Sequence, residues 1–150
     1  MKPENQINEI IKAPPQQKFA IVVAEFNKPF TEEMLNIAQS SFKRCEATVE
    51  KVVWVPGAFE LPFASQKLFD EGIDVVLVLA VVIRGETSHY EHVCNSSARG
   101  VMQVSLENKK PVIFGVLTCE NEDQVRARIP RTHDLAVSAI KMGLIMNNDQ

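Results

Sequence analysis

Four short segments hold the side chains best suited to chemistry. The richest is Arg84-Gly85-Glu86-Thr87-Ser88-His89, which puts a glycine, a carboxylate, two hydroxyls and an imidazole side by side. The glycine allows the backbone to approach a bound group closely. If a helix starts here, the amides of Glu86 and Thr87 point out of its first turn, where unpaired N–H groups and the helix dipole favour a phosphate. His89, one turn in, faces the same space, and imidazoles as a class exchange protons near neutrality. A plainer reading stands beside this one, with Thr87 or Ser88 as a helix cap and His89 as a surface residue.

Phe26 follows one apolar run and Phe59 another. Phe packs in cores by default, but two rings at neighbouring chain ends also make a stacking surface for a planar heterocycle. Val81-Val82-Ile83 is core first, with terminal backbone groups able to read the edge of such a ring. Arg128 lies between Arg126 and Arg131. It is either part of a solvated basic face or a guanidinium held for bidentate phosphate contact. Glu86, His89 and His92 recur every three residues, a spacing that could hold a metal, but no nearby cysteine joins them and no metal is expected. Cys45, Cys94 and Cys119 are far apart, form no CxxC pair and read as buried thiols.

The elements that must position these groups are legible from apolar runs. Phe19–Ala24, Val49–Val55, Val75–Ile83 and Pro111–Leu117 read as strands. Between them lie helical stretches. The first starts at Thr31, whose hydroxyl suits a cap, with Glu32 and Glu33 at the positive end of the dipole. The second has Pro62 in its first turn and ends at Gly72, and the third runs from about Ser88 to Asn108. A short fourth, Glu120 to Ile129, stops at Pro130, and a last covers Asp134 to Ile145. Strict alternation of this kind predicts an α/β fold. It is a flavodoxin-like three-layer sandwich: a four-stranded parallel sheet with helices on both faces and right-handed crossovers. Ligands of such folds lie outside the carboxyl ends of the strands, where Glu25–Asn27, Pro56–Glu60, Arg84–His89 and Thr118–Asn121 all fall.

The chain has 150 residues, 45% of them apolar and 23% charged, which suits one globular domain. Residues 1–17 read as an N-terminal arm ending at Pro14-Pro15, and residues 18–150 as the domain. The net charge of −3 and the scattered Lys and Arg argue against nucleic acid as a partner. The longest apolar run, Val75–Ile83, is nine residues, well short of the ~20 needed to span a bilayer. The polar N-terminus lacks the apolar core of a secretory signal, and an odd cysteine count fits a reducing cytoplasm.

Val55–Pro62 (VPGAFELP), Val82–Val93 (VIRGETSHYEHV) and Pro111–Thr118 (PVIFGVLT), in that order, resemble the 6,7-dimethyl-8-ribityllumazine synthase family of riboflavin biosynthesis. The resemblance runs from about Lys18 to Met142. It implies condensation of 5-amino-6-(D-ribitylamino)uracil with 3,4-dihydroxy-2-butanone 4-phosphate, with no metal or organic cofactor. It places Phe26 on the pyrimidine; Ala58, Phe59 and Glu60 on the ribityl chain; the backbone of Val81, Val82 and Ile83 on the pyrimidine edge; Glu86 and Thr87 on the phosphate; and His89 as proton donor and acceptor. Phe114 and Arg128 would complete the site of a neighbouring subunit, which implies a homo-oligomer, a pentamer or a pentamer-based assembly.

Two departures from the family pattern stand out. Glu25 occupies a position where members commonly carry Arg. Ile129-Pro130-Arg131-Thr132-His133-Asp134 replaces a Gly- and Lys-rich segment, leaving Arg131 as the candidate second cation near the phosphate. With Pro130 in place of those glycines, an isolated pentamer or two stacked pentamers is expected rather than a closed shell. Competing readings are an archaeal-type riboflavin synthase, which the paired VPGAFE and RGETSH blocks argue against, and a non-catalytic flavin-binding module.

Overall fold

Nine consecutive apolar residues, Val75–Ile83, form a strand buried at every position. Only a central strand of a sheet covered on both faces has that pattern. The computed structural model describes residues 11–85 and 89–147. In chain order the strands are β1 (Lys18–Ala24), β2 (Thr48–Val55), β3 (Val75–Ile83) and β4 (Val112–Cys119). All pair in parallel, in the order β2-β1-β3-β4. The helices are α1 (Lys28–Arg44), α2 (Leu61–Asp70), α3 (Tyr90–Asn108), α4 (Glu122–Arg128) and α5 (Thr132–Met146).

Alternate residues of the two central strands feed two cores. Phe19, Ile21, Val23, Leu77 and Leu79 pack with Met34 and Phe42 of α1, Val125 of α4 and Ile140 of α5. Ala20, Val22, Val76 and Val78 pack with Leu61 and Leu68 of α2 and Val101 of α3. Helices therefore cover both faces, as the alternation required. Each large side chain buried this way contributes about 1.5–3 kcal/mol.

Helix ends differ from the expectation in instructive ways. The first helix starts at Lys28, not Thr31, with Pro29 in its first turn and Asn27 just before it in the left-handed region, φ 61°. Thr31 is fully buried, and its hydroxyl donates to the carbonyl of Ala24 at 2.8 Å, pinning α1 to the end of β1. Glu32 and Glu33 thus lie beyond the first turn. The fourth helix, α4, does end at Arg128, just before Pro130. That proline occupies the start of a 3-10 turn, Ile129–Arg131, that runs directly into Thr132, at a position where its missing N–H is not needed.

Of the expected arm, residues 11–17 lie on the body of the domain. The Ala13 amide donates to Cys45 at 2.9 Å, and the buried Gln17 side chain donates to the Gly143 carbonyl at 2.9 Å. Residues 1–10 are outside the described part. Cys45 and Cys119 are buried, whereas Cys94 is only half-buried, because α3 first turns a side chain fully inward at Ser97.

Candidate active site

The strand order reverses between β1 and β3: β2 lies on one side of β1, and β4 on the far side of β3. In folds of this kind ligands lie in a crevice at that point, beyond the carboxyl ends of the strands. Strand register shapes it here. Val23 of β1 pairs with Leu79, so β1 ends beside Ala80 while β3 runs on through Val81, Val82 and Ile83. The overhang is held on its other side by β4, where Val82 pairs with Thr118 and Ile83 with Cys119.

Strand alternation decides which backbone groups face the crevice. The amides of Val76 and Arg84 donate toward β4, to Pro111 at 3.1 Å and Cys119 at 2.8 Å. Even-numbered residues of β3 therefore turn their polar groups to β4, and odd-numbered ones turn theirs to the side where β1 has ended. Of the three expected backbone contacts, Val81 and Ile83 face the crevice and Val82 does not. The Val81 carbonyl accepts from the Asn27 side-chain amide at 2.9 Å, which ties the loop after β1 to the overhang.

That loop presents Phe26. Its amide donates to Pro56 at 3.1 Å, and that of Glu25 donates to Val55 at 2.7 Å, so the ends of β1 and β2 are laced together. Phe26 is 54% exposed and Phe59 59%, which removes core packing as the reason for either ring. Phe59 lies in a 3-10 turn, Ala58–Glu60, between β2 and α2. Ala58 is buried beneath it and Glu60 is half-buried, its carboxylate folded back over Gly57.

On the β3 side Gly85 has φ +93°, a conformation that side-chain-bearing residues rarely adopt, and a Cβ there would meet nothing within 4 Å. The turn, rather than close packing, calls for glycine at this position. Glu86 and Thr87, the expected phosphate ligands, lie outside the described residues, as does Ser88. His89 is exposed and immediately precedes α3, one residue ahead of the first helical position instead of a turn inside, and its carbonyl accepts from Val93 at 2.8 Å.

Arg128, the last residue of α4, reaches the end of β4. Its Nη1 donates to the Thr118 carbonyl at 3.0 Å and lies 3.5 Å from the Cys119 sulfur. Among the described residues it pairs with no carboxylate. Arg126 differs: Glu122 at 3.1 Å and Asp123 at 3.3 Å hold it, over the Phe30 ring. Phe114 is not at the crevice. It stands five residues before the end of β4, roughly 16 Å down the strand, with its ring 36% exposed beside the sheet's open edge. Among the described residues no group of three His, Cys, Asp or Glu side chains could hold a metal.

The family model described as 6,7-dimethyl-8-ribityllumazine synthase matches residues 16–147, which span every strand end just described. The chain belongs to that family. Among curated relatives bearing the name 6,7-dimethyl-8-ribityllumazine synthase, that of Bdellovibrio bacteriovorus is 45% identical over 77% of this chain and 65% of its own length. Those of Prochlorococcus marinus and Salinibacter ruber are 42% and 39% identical, covering 87% and 86% of this chain and 90% and 88% of theirs. Two residues that motif reasoning passed over now stand out. Asn27 locks the Phe26 loop, and Asn's tolerance of the left-handed region just before Lys28-Pro29 was its signal. Arg84 opens the RGETSH block and meets Glu91, Glu120 and the Tyr90 ring.

Proposed function

We propose that this crevice performs the family's condensation of 5-amino-6-(D-ribitylamino)uracil with 3,4-dihydroxy-2-butanone 4-phosphate. The observation that carries the reading is the overhang of β3 past β1. It presents the backbone of Ile83 and the Asn27-bound carbonyl of Val81 to a space rimmed by Phe26, Phe59 and His89. The pyrimidine stacks on Phe26 with its polar edge toward the overhang, and the ribityl chain runs to Ala58, Phe59 and Glu60. The phosphate goes to the start of α3, where Glu86 and Thr87 precede His89. The aromatic amine attacks the ketone, phosphate leaves, and the second ring closes with loss of water. His89 moves the protons these steps require. Holding two substrates together accounts for much of the rate, so losing His89 costs about 10²-fold in kcat and does not abolish turnover. On this reading neither metal nor organic cofactor takes part.

The working form is a homopentamer or an assembly built from pentamers, in the cytoplasm. Phe114 and Arg128 serve a neighbour's crevice: Phe114 is too far down β4 to reach its own, and β4 is an edge strand with its outer side open. Exposed Met102 and Leu106 on α3 fit burial by a neighbour, and three unbridged cysteines fit a reducing compartment. Mixing two impaired variants, assayed with butanone phosphate well below the KM of Arg128→Ala, tests the shared site. His89→Ala and Arg128→Ala chains, dissociated and reassembled together at equal amounts, should recover activity at about a quarter of their interfaces. No recovery above the separate variants argues for a site within one chain.

A further inference from the structure

We propose that Arg84 is a positioning residue for His89, clasping the first turn of α3 to the ends of β3 and β4; this rests on the reading that His89 handles protons in the reaction. His89 needs such a device. The α3 helix is buried only from Ser97 onward, at Ser97 and Val101, two turns past its start. Its first turn carries Tyr90 and Val93, which pack on the core but stay half-buried.

Arg84 supplies an anchor there with one planar group. Its own amide donates to the Cys119 carbonyl at 2.8 Å, so its Cα is fixed as an extension of the sheet. From there Nε donates to Glu120 at 3.0 Å, just past β4. Nη1 lies 3.6 Å from the Glu91 carboxylate, and the guanidinium carbon sits 4.5 Å from the Tyr90 ring centroid. Both of those partners belong to the first turn of α3, and His89 is the residue directly before Tyr90.

An isolated exposed ion pair contributes little. Here one fork engages two carboxylates and a ring in three directions, which fixes an orientation rather than adding stability. Lysine, a point charge on a flexible stem, cannot reproduce that pattern.

The Val93 amide, which donates to the His89 carbonyl, reports directly on this turn. In Arg84→Ala its hydrogen exchange should quicken several-fold. The kcat of the condensation should fall about tenfold, and the KM for the pyrimidine should stay within twofold. Arg84→Lys should recover part of the loss, and Glu120→Gln should shift both readouts the same way without touching α3. In a His89→Ala background, Arg84→Ala should cost no further rate, because it acts through a group already gone. Unchanged Val93 exchange, or losses that multiply in the double variant, overturns the proposal. If His89→Ala alone keeps full kcat, the proton-handling role of His89 fails instead, and Val93 exchange still decides the clasp.

Discussion

The side-chain amide of Asn27 donates to the backbone carbonyl of Val81 at 2.9 Å, across the point where β1 has stopped and β3 continues. One hydrogen bond thereby fixes the loop carrying Phe26 against the strand edge that faces the crevice. Asn27→Gly keeps the left-handed backbone and deletes only the amide. It should lower stability by about 1 kcal/mol and raise the KM for the pyrimidine several-fold. Urea denaturation and steady-state kinetics on the same preparation check both, and an unchanged KM would separate the loop from pyrimidine binding.

Phe26 and Phe59 are more than half exposed, so neither supports the fold. Phe26→Ala and Phe59→Ala should each change unfolding free energy by no more than about 0.5 kcal/mol. Lost stacking and burial should raise the KM for the pyrimidine about tenfold, with the butanone phosphate little affected. Phe42→Ala is the contrast: that ring is 1% exposed, against Phe19 at 5.4 Å, and its removal should cost about 3–5 kcal/mol.

Arg128→Ala removes a guanidinium whose partners here are a carbonyl and a sulfur. Loss of a charge-assisted phosphate contact, about 1.5–3 kcal/mol, should raise the KM for the butanone phosphate by roughly one to two decades. Arg126→Ala should do little, since Glu122 and Asp123 already neutralise that side chain. A larger effect from Arg131→Ala would make Arg131 the principal phosphate cation.

Much of this was legible beforehand because apolar runs are long-range signals. Val75–Ile83 reads as one strand with both ends correct, since an element buried on both faces has no polar residue to blur its limits. Helix starts were less legible. Thr31 has the composition of a cap, but its hydroxyl goes to Ala24, a partner that exists only once α1 lies on β1. His89 was expected inside α3, yet it stands just before the helix, which starts at Tyr90. The overhang that opens the crevice is a property of register between β1 and β3, and no single residue type encodes it. Arg84 went unassigned because Glu120 and the first turn of α3 meet it only in the folded chain.

Gly143 faces Gln17 so closely that a Cβ would lie 2.1 Å from the Gln17 Oε1. Gly143→Ala should therefore cost about 1–3 kcal/mol, as overpacking does. The crevice is at the other end of the sheet, so kcat should hold. The loss in Gly143→Ala/Gln17→Ala should be smaller than the sum of the two single losses. A strictly additive result in urea titrations would mean the two positions do not share the strain.

Burial pushes the Cys45 thiol above its ordinary value, against a smaller downward pull from Arg44. The folded state then holds its proton after the unfolded chain has released it. The stability this contributes is complete below about pH 9 and declines as pH rises beyond. The urea midpoint of Cys45→Ala should fall less steeply above pH 9 than that of the unaltered chain; equal slopes would contradict a buried, protonated thiol.

Purified chain, given both substrates in buffer containing a chelator, should release inorganic phosphate and form fluorescent 6,7-dimethyl-8-ribityllumazine in one-to-one ratio. Both products should appear well above an enzyme-free control. Phosphate without lumazine, or neither product above that control, would contradict condensation at the crevice between β1 and β3.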